Sequence, residues 1–382
     1  MKVCILSGDL KYIVTGSERY LYEMALYLEK NNVDTTLLII NDNRMVKREN
    51  PNYAKIARRY ASIRSREVTP KIVDAGPLHI SFFYFKNLPK DSIIYLPNNL
   101  YVHLLNVLTK PAGQKYIIGS HVLQFNSYYQ SSKHTILERT FNKMIKNMLK
   151  LKSREFKHNL FFHVINLQQK SYLEKEFGIK PENILHVPIF ARAEKFRIGN
   201  NNSKKLRVMH IGGTGKNAAL VLKVIDELQR RKQMGRYEFH FIGKSEPKEL
   251  NEMAKEHPNI INHGMADDEE KIKIHSESDV LIVPSVEAFP LTVLEGLAAG
   301  LTIISRNNSI NKELNELGAE LITVCEEPEA FADALEKVAN AKIKGELTTA
   351  RKKKYKALVL ENFSYVTVMP QLLKMFELVD KS

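Results

Sequence analysis

Two successive runs of one alternation govern what this chain can fold into. Short apolar segments, each closed by a glycine or a polar turn, alternate with stretches of helical spacing. Residues 3–6 form the first apolar run. Thr15-Gly16-Ser17-Glu18 then opens a stretch in which Tyr20, Met24, Tyr27 and Leu28 fall on one helical face, and residues 37–40 form the next run. Parallel neighbours need such a crossover, so a strand–helix–strand unit implies a parallel sheet covered by helices. Buried strands are expected again at 93–96, 116–118 and 161–165. After residue 200 the alternation restarts, with strands at 206–211, 238–243, 279–284 and 301–304 and a helix over 218–230. The stretch 191–205 is polar and rich in Asn and Lys, as a linker would be. At 382 residues the chain is long enough for two domains. The expected class is α/β, two doubly wound Rossmann-like domains with a cleft between them.

Composition narrows the function. The chain is 44% hydrophobic and 26% charged, the balance of a globular protein. No apolar run approaches the roughly 18 residues of a membrane span. The start, Met1 to Asp9, turns acidic too early for a signal peptide. Cys4 and Cys325 make neither a disulfide framework nor a metal spacing, which fits a reducing cytoplasm. The net charge is +14 and uneven. Residues 1–190 hold 28 Lys and Arg against 15 Asp and Glu, whereas residues 191–382 hold 29 against 28. A basic half implies a polyanionic partner: nucleic acid, an anionic membrane surface or a phosphorylated substrate.

Two segments can carry chemistry. Gly212-Gly213-Thr214-Gly215-Lys216-Asn217 lies between a strand and a helix, where free N–H groups and the helix dipole favour phosphate. It is no Walker loop, because His210 replaces the first glycine and Asn217 the Ser or Thr. Nor is it a dinucleotide fingerprint, because Ala218 replaces the third glycine. Taken alone, it is equally a tight turn carrying an exposed lysine. The second segment runs from Ser285 to Gly300, after a strand and into a short helix. Glu287 in its loop and Glu295 in its helix are placed to reach a crevice at the carboxyl edge of the sheet. Carboxylates only accept hydrogen bonds and so suit hydroxyl-rich ligands. Taken alone, the pair is equally two solvated glutamates near a helix start.

The run from Ile274 to Ile304 resembles the signature of GT-B glycosyltransferases of the large retaining family 4, the glycosyl transferases group 1 type. Asp279, Pro284, Ser285, Glu287, Phe289, Pro290, Leu294, Glu295, Ala298 and Gly300 fall on that pattern. Gly296-Leu297 replaces its usual Ala-Met. The resemblance continues in Asn262-His263-Gly264-Met265, in the passage from Glu176 to Pro188, and in Tyr116 to His121. It also covers Thr15-Gly16-Ser17-Glu18-Arg19 and Asn362-Phe363-Ser364-Tyr365.

The resemblance implies a nucleotide sugar, UDP- or GDP-linked, held mainly by the C-terminal domain. Glu295 would accept from the ribose hydroxyls, and Glu287 from a hydroxyl of the donor sugar. The backbone of Ala288, Phe289, Pro290 and Leu291 would orient sugar and phosphate, with Gly213, Thr214 and Met265 beside the donor. Lys216 would neutralise the diphosphate leaving group. His121 would hydrogen-bond the sugar near the reacting carbon, and Gly16 and Ser17 would let the N-terminal loop approach the phosphate or the acceptor. The family's arginine before that lysine is missing here, and Lys244 or a basic residue from the other domain is the candidate substitute. The implied reaction is retaining transfer without an enzyme nucleophile, with no cofactor and no metal. Asp267-Asp268-Glu269-Glu270 reads as a solvated helix start rather than a metal site.

The implied domains are 1–190 for the acceptor, a linker at 191–204, 205–362 for the nucleotide sugar, and 363–382 as a helix crossing back to the N-terminal domain. The acceptor half carries the excess charge, concentrated in 44–71 and 133–157. In the second stretch Leu137, Phe141, Met144, Ile145 and Met148 interleave with Arg139, Lys143, Lys146 and Lys150 as a basic amphipathic helix. That fits a glycan or lipid-linked acceptor and an anionic membrane surface at the cytoplasmic face; no nucleic-acid motif is present. Two other readings stay open: a catalytically inactive GT-B scaffold subunit, and a nucleotide-sugar epimerase.

Overall fold

The computed structural model describes residues 1–7, 16–41, 71–77, 91–97, 114–119, 147, 159–199, 201, 203–212, 216–243, 248–286, 290–308, 310–318 and 322–382. They form two compact units, residues 1–189 with 368–382, and residues 190–367.

The first unit is built on seven strands in the order β3-β2-β1-β4-β5-β6-β7. These are β1 (Lys2–Ser7), β2 (Asp34–Asn41), β3 (Lys71–Pro77), β4 (Ile93–Leu96), β5 (Tyr116–Gly119), β6 (Leu160–Val164) and β7 (Ile184–His186). Every pairing is parallel. Helix α1 (Gly16–Lys30) joins β1 to β2 and buries Tyr20, Leu21, Met24, Ala25 and Leu28. Central strands β4 and β5 are buried at every position, which is why they read as unbroken apolar runs. Edge strand β3 contains Lys71, Asp74 and Gly76 and left no such run to read.

One polar side chain sits deep in this core and is fully paired. His163 of β6 is wholly buried. Its Nε2 is 2.7 Å from the Val187 carbonyl, which can only accept, so Nε2 carries the proton and Nδ1 accepts from the Tyr95 hydroxyl at 2.7 Å. Burial pushes the imidazole pKa down from 6.5 to about 4, so the ring stays neutral.

The second unit is built on six strands in the order β10-β9-β8-β11-β12-β13. They are β8 (Leu206–Ile211), β9 (Tyr237–Ile242), β10 (Ile260–Gly264), β11 (Val280–Val283), β12 (Thr302–Ser305) and β13 (Ile322–Val324), again paired in parallel. The helices in chain order are α2 (Leu167–Tyr172) in the first unit, then α3 (Ala218–Arg230), α4 (Lys248–Glu256), α5 (Asp268–Glu277), α6 (Leu291–Ala298), α7 (Asn311–Gly318), α8 (Pro328–Ile343), α9 (Thr349–Phe363) and α10 (Tyr365–Lys381). Tyr237, Phe239 and Phe241 of β9 share one face and pack with Val221 and Ile225 of α3 and Phe331 and Leu335 of α8. Among the described residues no helix is long and apolar enough to cross a membrane.

The polar stretch expected to be a linker is fastened to this second unit. Ala191 N–H donates to the Phe363 carbonyl at 2.8 Å. Lys356 and Lys352 of α9 donate to the carbonyls of Phe196 and Gly199 at 2.6 and 3.0 Å. The Phe196 ring is buried edge-on against His275, 4.9 Å between centroids. Backbone carbonyls of the stretch are thus satisfied by lysines of α9. Ser364 separates α9 from α10 and caps the latter, its hydroxyl accepting from Thr367 N–H at 3.2 Å. From Val368 onward α10 belongs to the first unit, where Phe376 meets Tyr95 edge-on at 5.8 Å and Lys115 donates to the carbonyls of Val379 and Asp380.

Candidate functional site

In an open parallel sheet, ligands bind beyond the carboxyl ends of the strands where the strand order reverses. In the second unit that reversal lies between β8 and β11. The segment after β8 leads through Gly212 to Lys216 and into α3; the one after β11 leads through Pro284 and Ser285 to Pro290 and α6. Asn217 takes the left-handed conformation, φ 59°, which Asn tolerates better than most residues. Its side chain leaves the helix start uncapped and donates instead to the Pro284 carbonyl at 3.2 Å. One hydrogen bond thus ties the two site-forming segments together.

Gly212 has φ +141°, and a Cβ there would collide with the Lys216 stem. The absence of a side chain on Gly212 leaves room for the Lys216 stem beside it. Pro290 stands just before α6, and Leu291 and Thr292 are its first two residues, whose N–H groups have no intrahelical acceptor. The helix ends at Gly300, φ +80°, with Gly300 N–H bonded to Leu297 O and Leu301 N–H to Gly296 O, each at 2.9 Å. Gly296, the departure from Ala in the pattern, lies where a Cβ would come within 2.8 Å of Leu281 and 2.9 Å of Ile303, so α6 sits close on β11 and β12.

Glu295 projects from α6 and is partly exposed, with its Oε2 enclosed by protein. Lys271 Nζ of α5 is 2.6 Å from that oxygen. The approach is too oblique for a hydrogen bond, yet at this separation the two charges are in contact. His275, one turn further along α5, is fully buried. Its Nδ1 donates to the Lys271 carbonyl at 2.7 Å. Burial lowers its pKa from 6.5 to about 4, with Glu295 nearby acting in the opposite sense. Asp267 caps α5, accepting from Glu269 and Glu270 N–H at 3.0 and 2.9 Å, so the acidic run is the helix start the sequence suggested. At the adjoining strand ends, His240 Nδ1 and His263 Nε2 are 2.9 Å apart, and Met265 follows β10 directly.

Of the residues singled out from sequence, Lys216, Met265, Pro290, Leu291 and Glu295 lie at this carboxyl edge. Gly16 and Ser17 form the first turn of α1 in the other unit. His121, Gly213, Thr214, Lys244, Glu287, Ala288 and Phe289 lie outside the described residues. Asp279, on the same motif, sits at the opposite edge of the sheet. It is buried, and its Oδ2 accepts from Asn201 Nδ2 at 2.7 Å, Lys342 Nζ at 2.8 Å and Arg207 N–H at 3.0 Å. Lys271 and His275 were missed. Their only sequence signal was a helical spacing of four in a charged stretch, which does not say what they face.

Two parallel, doubly wound units of this kind, each with its strand order reversing beside β1 or β8, define the GT-B class of α/β fold. Solved structures agree across the full chain. A glycosyltransferase from Rickettsia africae ESF-5 has 14% identity and a TM-score of 0.67, over 100% of this chain and 99% of that one. Sucrose-phosphate synthase from Thermosynechococcus elongatus has 14% identity and a TM-score of 0.72, over 99% and 98%. Anabaena HepE in complex with UDP and glucose has 11% identity and a TM-score of 0.66, over 99% of each chain. No curated protein matches the chain in sequence. Residues 191–380 match the family Glycosyl transferases group 1.

Proposed function

We propose that the protein is a retaining glycosyltransferase moving a sugar from a nucleotide-sugar donor to a hydroxyl of a glycan or lipid-linked acceptor. The observation that carries the reading is that the segments bearing Lys216 and Glu295 follow β8 and β11, the two strands at the strand-order reversal, within the residues that match glycosyl transferases group 1. HepE, similar in fold, is described in complex with UDP-glucose, which supports a donor of that class.

In this reading Glu295 accepts from the ribose hydroxyls, and Met265 lies beside the base. Gly213, Thr214, Lys244 and the backbone of Ala288 to Leu291 hold the diphosphate and sugar. Glu287 and His121 hold the sugar hydroxyls, and Gly16 and Ser17 come to the phosphate or the acceptor. As the bond from the anomeric carbon to the phosphate oxygen breaks, negative charge grows on the diphosphate and the fixed Lys216 cation stabilises it. The acceptor oxygen bonds to the same face of that carbon, and its proton passes to the leaving phosphate. Lys216 supplies the electrostatic help a divalent ion would otherwise give, so no metal enters. The basic residues of 1–190 favour a phosphorylated acceptor or an anionic membrane at the cytoplasmic face.

The test is a panel of UDP- and GDP-sugars, followed by thermal stabilisation and slow donor hydrolysis. At least one donor should stabilise the protein, and Glu295→Ala should remove the effect. No binding by any donor, with Glu295→Ala indistinguishable from the parent, would sink the reading. Activity only after a partner is added would indicate a scaffold subunit, and an isomerised free nucleotide sugar an epimerase.

A further inference from the structure

Helix α5 brings a cation to the carboxylate assigned to the donor ribose. The contact is selective between the two oxygens of Glu295. Oε2, which faces Lys271 Nζ at 2.6 Å, is enclosed by protein, although the Glu295 side chain as a whole is 18% exposed. An ionised carboxylate accepts at about four lone-pair positions, so a cation on one oxygen leaves the other able to accept.

The base of the Lys271 side chain is held as well. His275 Nδ1 meets the Lys271 carbonyl at 2.7 Å, and the imidazole is wedged in the core against Phe196. Since that carbonyl only accepts, Nδ1 carries the hydrogen and Nε2 is left as an acceptor. Nε2 is buried and has no hydrogen-bond donor among the described residues.

We infer that Lys271 is a positioning residue for the donor nucleoside: its ammonium pins Oε2 of Glu295 and turns Oε1 toward the ribose hydroxyls. This rests on the nucleotide-sugar reading above. Lys271 does not compete with the ligand, because it occupies the enclosed oxygen.

The test is calorimetric titration of the parent protein, Lys271→Met, Lys271→Gln and Lys271→Arg with UDP and its 2′,3′-dideoxy analogue, and with the guanosine pair. The parent should prefer the ribose form. In Lys271→Met and Lys271→Gln the affinity for the ribose form should fall roughly tenfold, as for a weakened hydrogen bond to a charged group, while the dideoxy form is unaffected. The preference then shrinks toward one, and Lys271→Arg retains most of it. A general structural role would weaken both nucleotides equally; that result, or an unchanged preference, in a variant that keeps its melting temperature would overturn the inference. Tighter ribose binding would overturn it too, marking Lys271 as a competitor. If the parent binds neither UDP nor GDP, the donor reading fails first and this inference with it; if it binds them and the preference survives in Lys271→Met, only the role of Lys271 fails.

Discussion

Replacing Asp279 with alanine should cost the second unit about 3–5 kcal/mol, although Asp279 belongs to the same motif as Glu295. The magnitude follows from what its carboxylate holds. Three donors converge on Oδ2: Lys342 Nζ at 2.8 Å, Asn201 Nδ2 at 2.7 Å and Arg207 N–H at 3.0 Å. The side chains of Asp279 and Lys342 are only 4% and 14% exposed, so water replaces little of what is lost. Removing one partner of a buried ion pair strands the other charge, and each neutral donor left over adds about 1 kcal/mol. Lys342 keeps one bond, to the Lys205 carbonyl at 2.9 Å, which holds the sum near the range given. A whole domain is stable by only about 5–15 kcal/mol, so the loss is large. The chain contains no tryptophan, so urea unfolding should be followed by far-UV circular dichroism. Asp279→Ala, Lys342→Met and the double variant form a cycle, in which the pair should couple by more than about 1 kcal/mol. A loss below about 1 kcal/mol for Asp279→Ala, or additive effects in the cycle, would refute the argument.

Two further outcomes follow from other parts of the molecule. His163 is held neutral in the fold at a pKa of about 4 against an ordinary 6.5, so below pH 6.5 the unfolded chain takes up a proton that the native state refuses. Its contribution is complete above pH 6.5 and declines as pH falls toward 4, by about 3 kcal/mol in all. His275, shifted in the same sense to about 4, adds to the decline. Melting temperature should therefore drop between pH 6.5 and 5, before most carboxylates titrate, and a flat profile there would contradict the assignment. Gly300→Ala places a Cβ 2.6 Å from Lys352 Cβ at a φ of +80° and should cost at least about 1–2 kcal/mol. That is a fall of several degrees in melting temperature, and an unchanged value would show that the turn can relax.

The fold was legible where a strand is buried on both faces. Strands β4, β5 and β11 read as unbroken apolar runs because helices cover both sides of a parallel sheet. Edge strands β3 and β13 were not legible, since β3 mixes in Lys71 and Asp74 and β13 has only three residues. The stretch around Phe196 was expected as a linker, and its docking was not legible, because Lys352 and Lys356, far along the chain, supply the donors.

The candidate site divides in the same way. Spacing along the chain was enough to put Lys216 after one strand and Glu295 in the helix after another, because strand–turn–helix order dictates which residues reach a sheet's carboxyl edge. Where each motif residue stands was decided by strand order. It sends Glu295 to the β8–β11 reversal and Asp279 to the far end of β11, beneath Lys342. The partner of Glu295 was likewise a tertiary matter. Lys271 lies in another helix, and only the packing of α5 and α6 brings its ammonium to within 2.6 Å of the carboxylate. Local sequence encodes periodicity and turns, whereas a contact between two helices depends on how the intervening sheet spaces them.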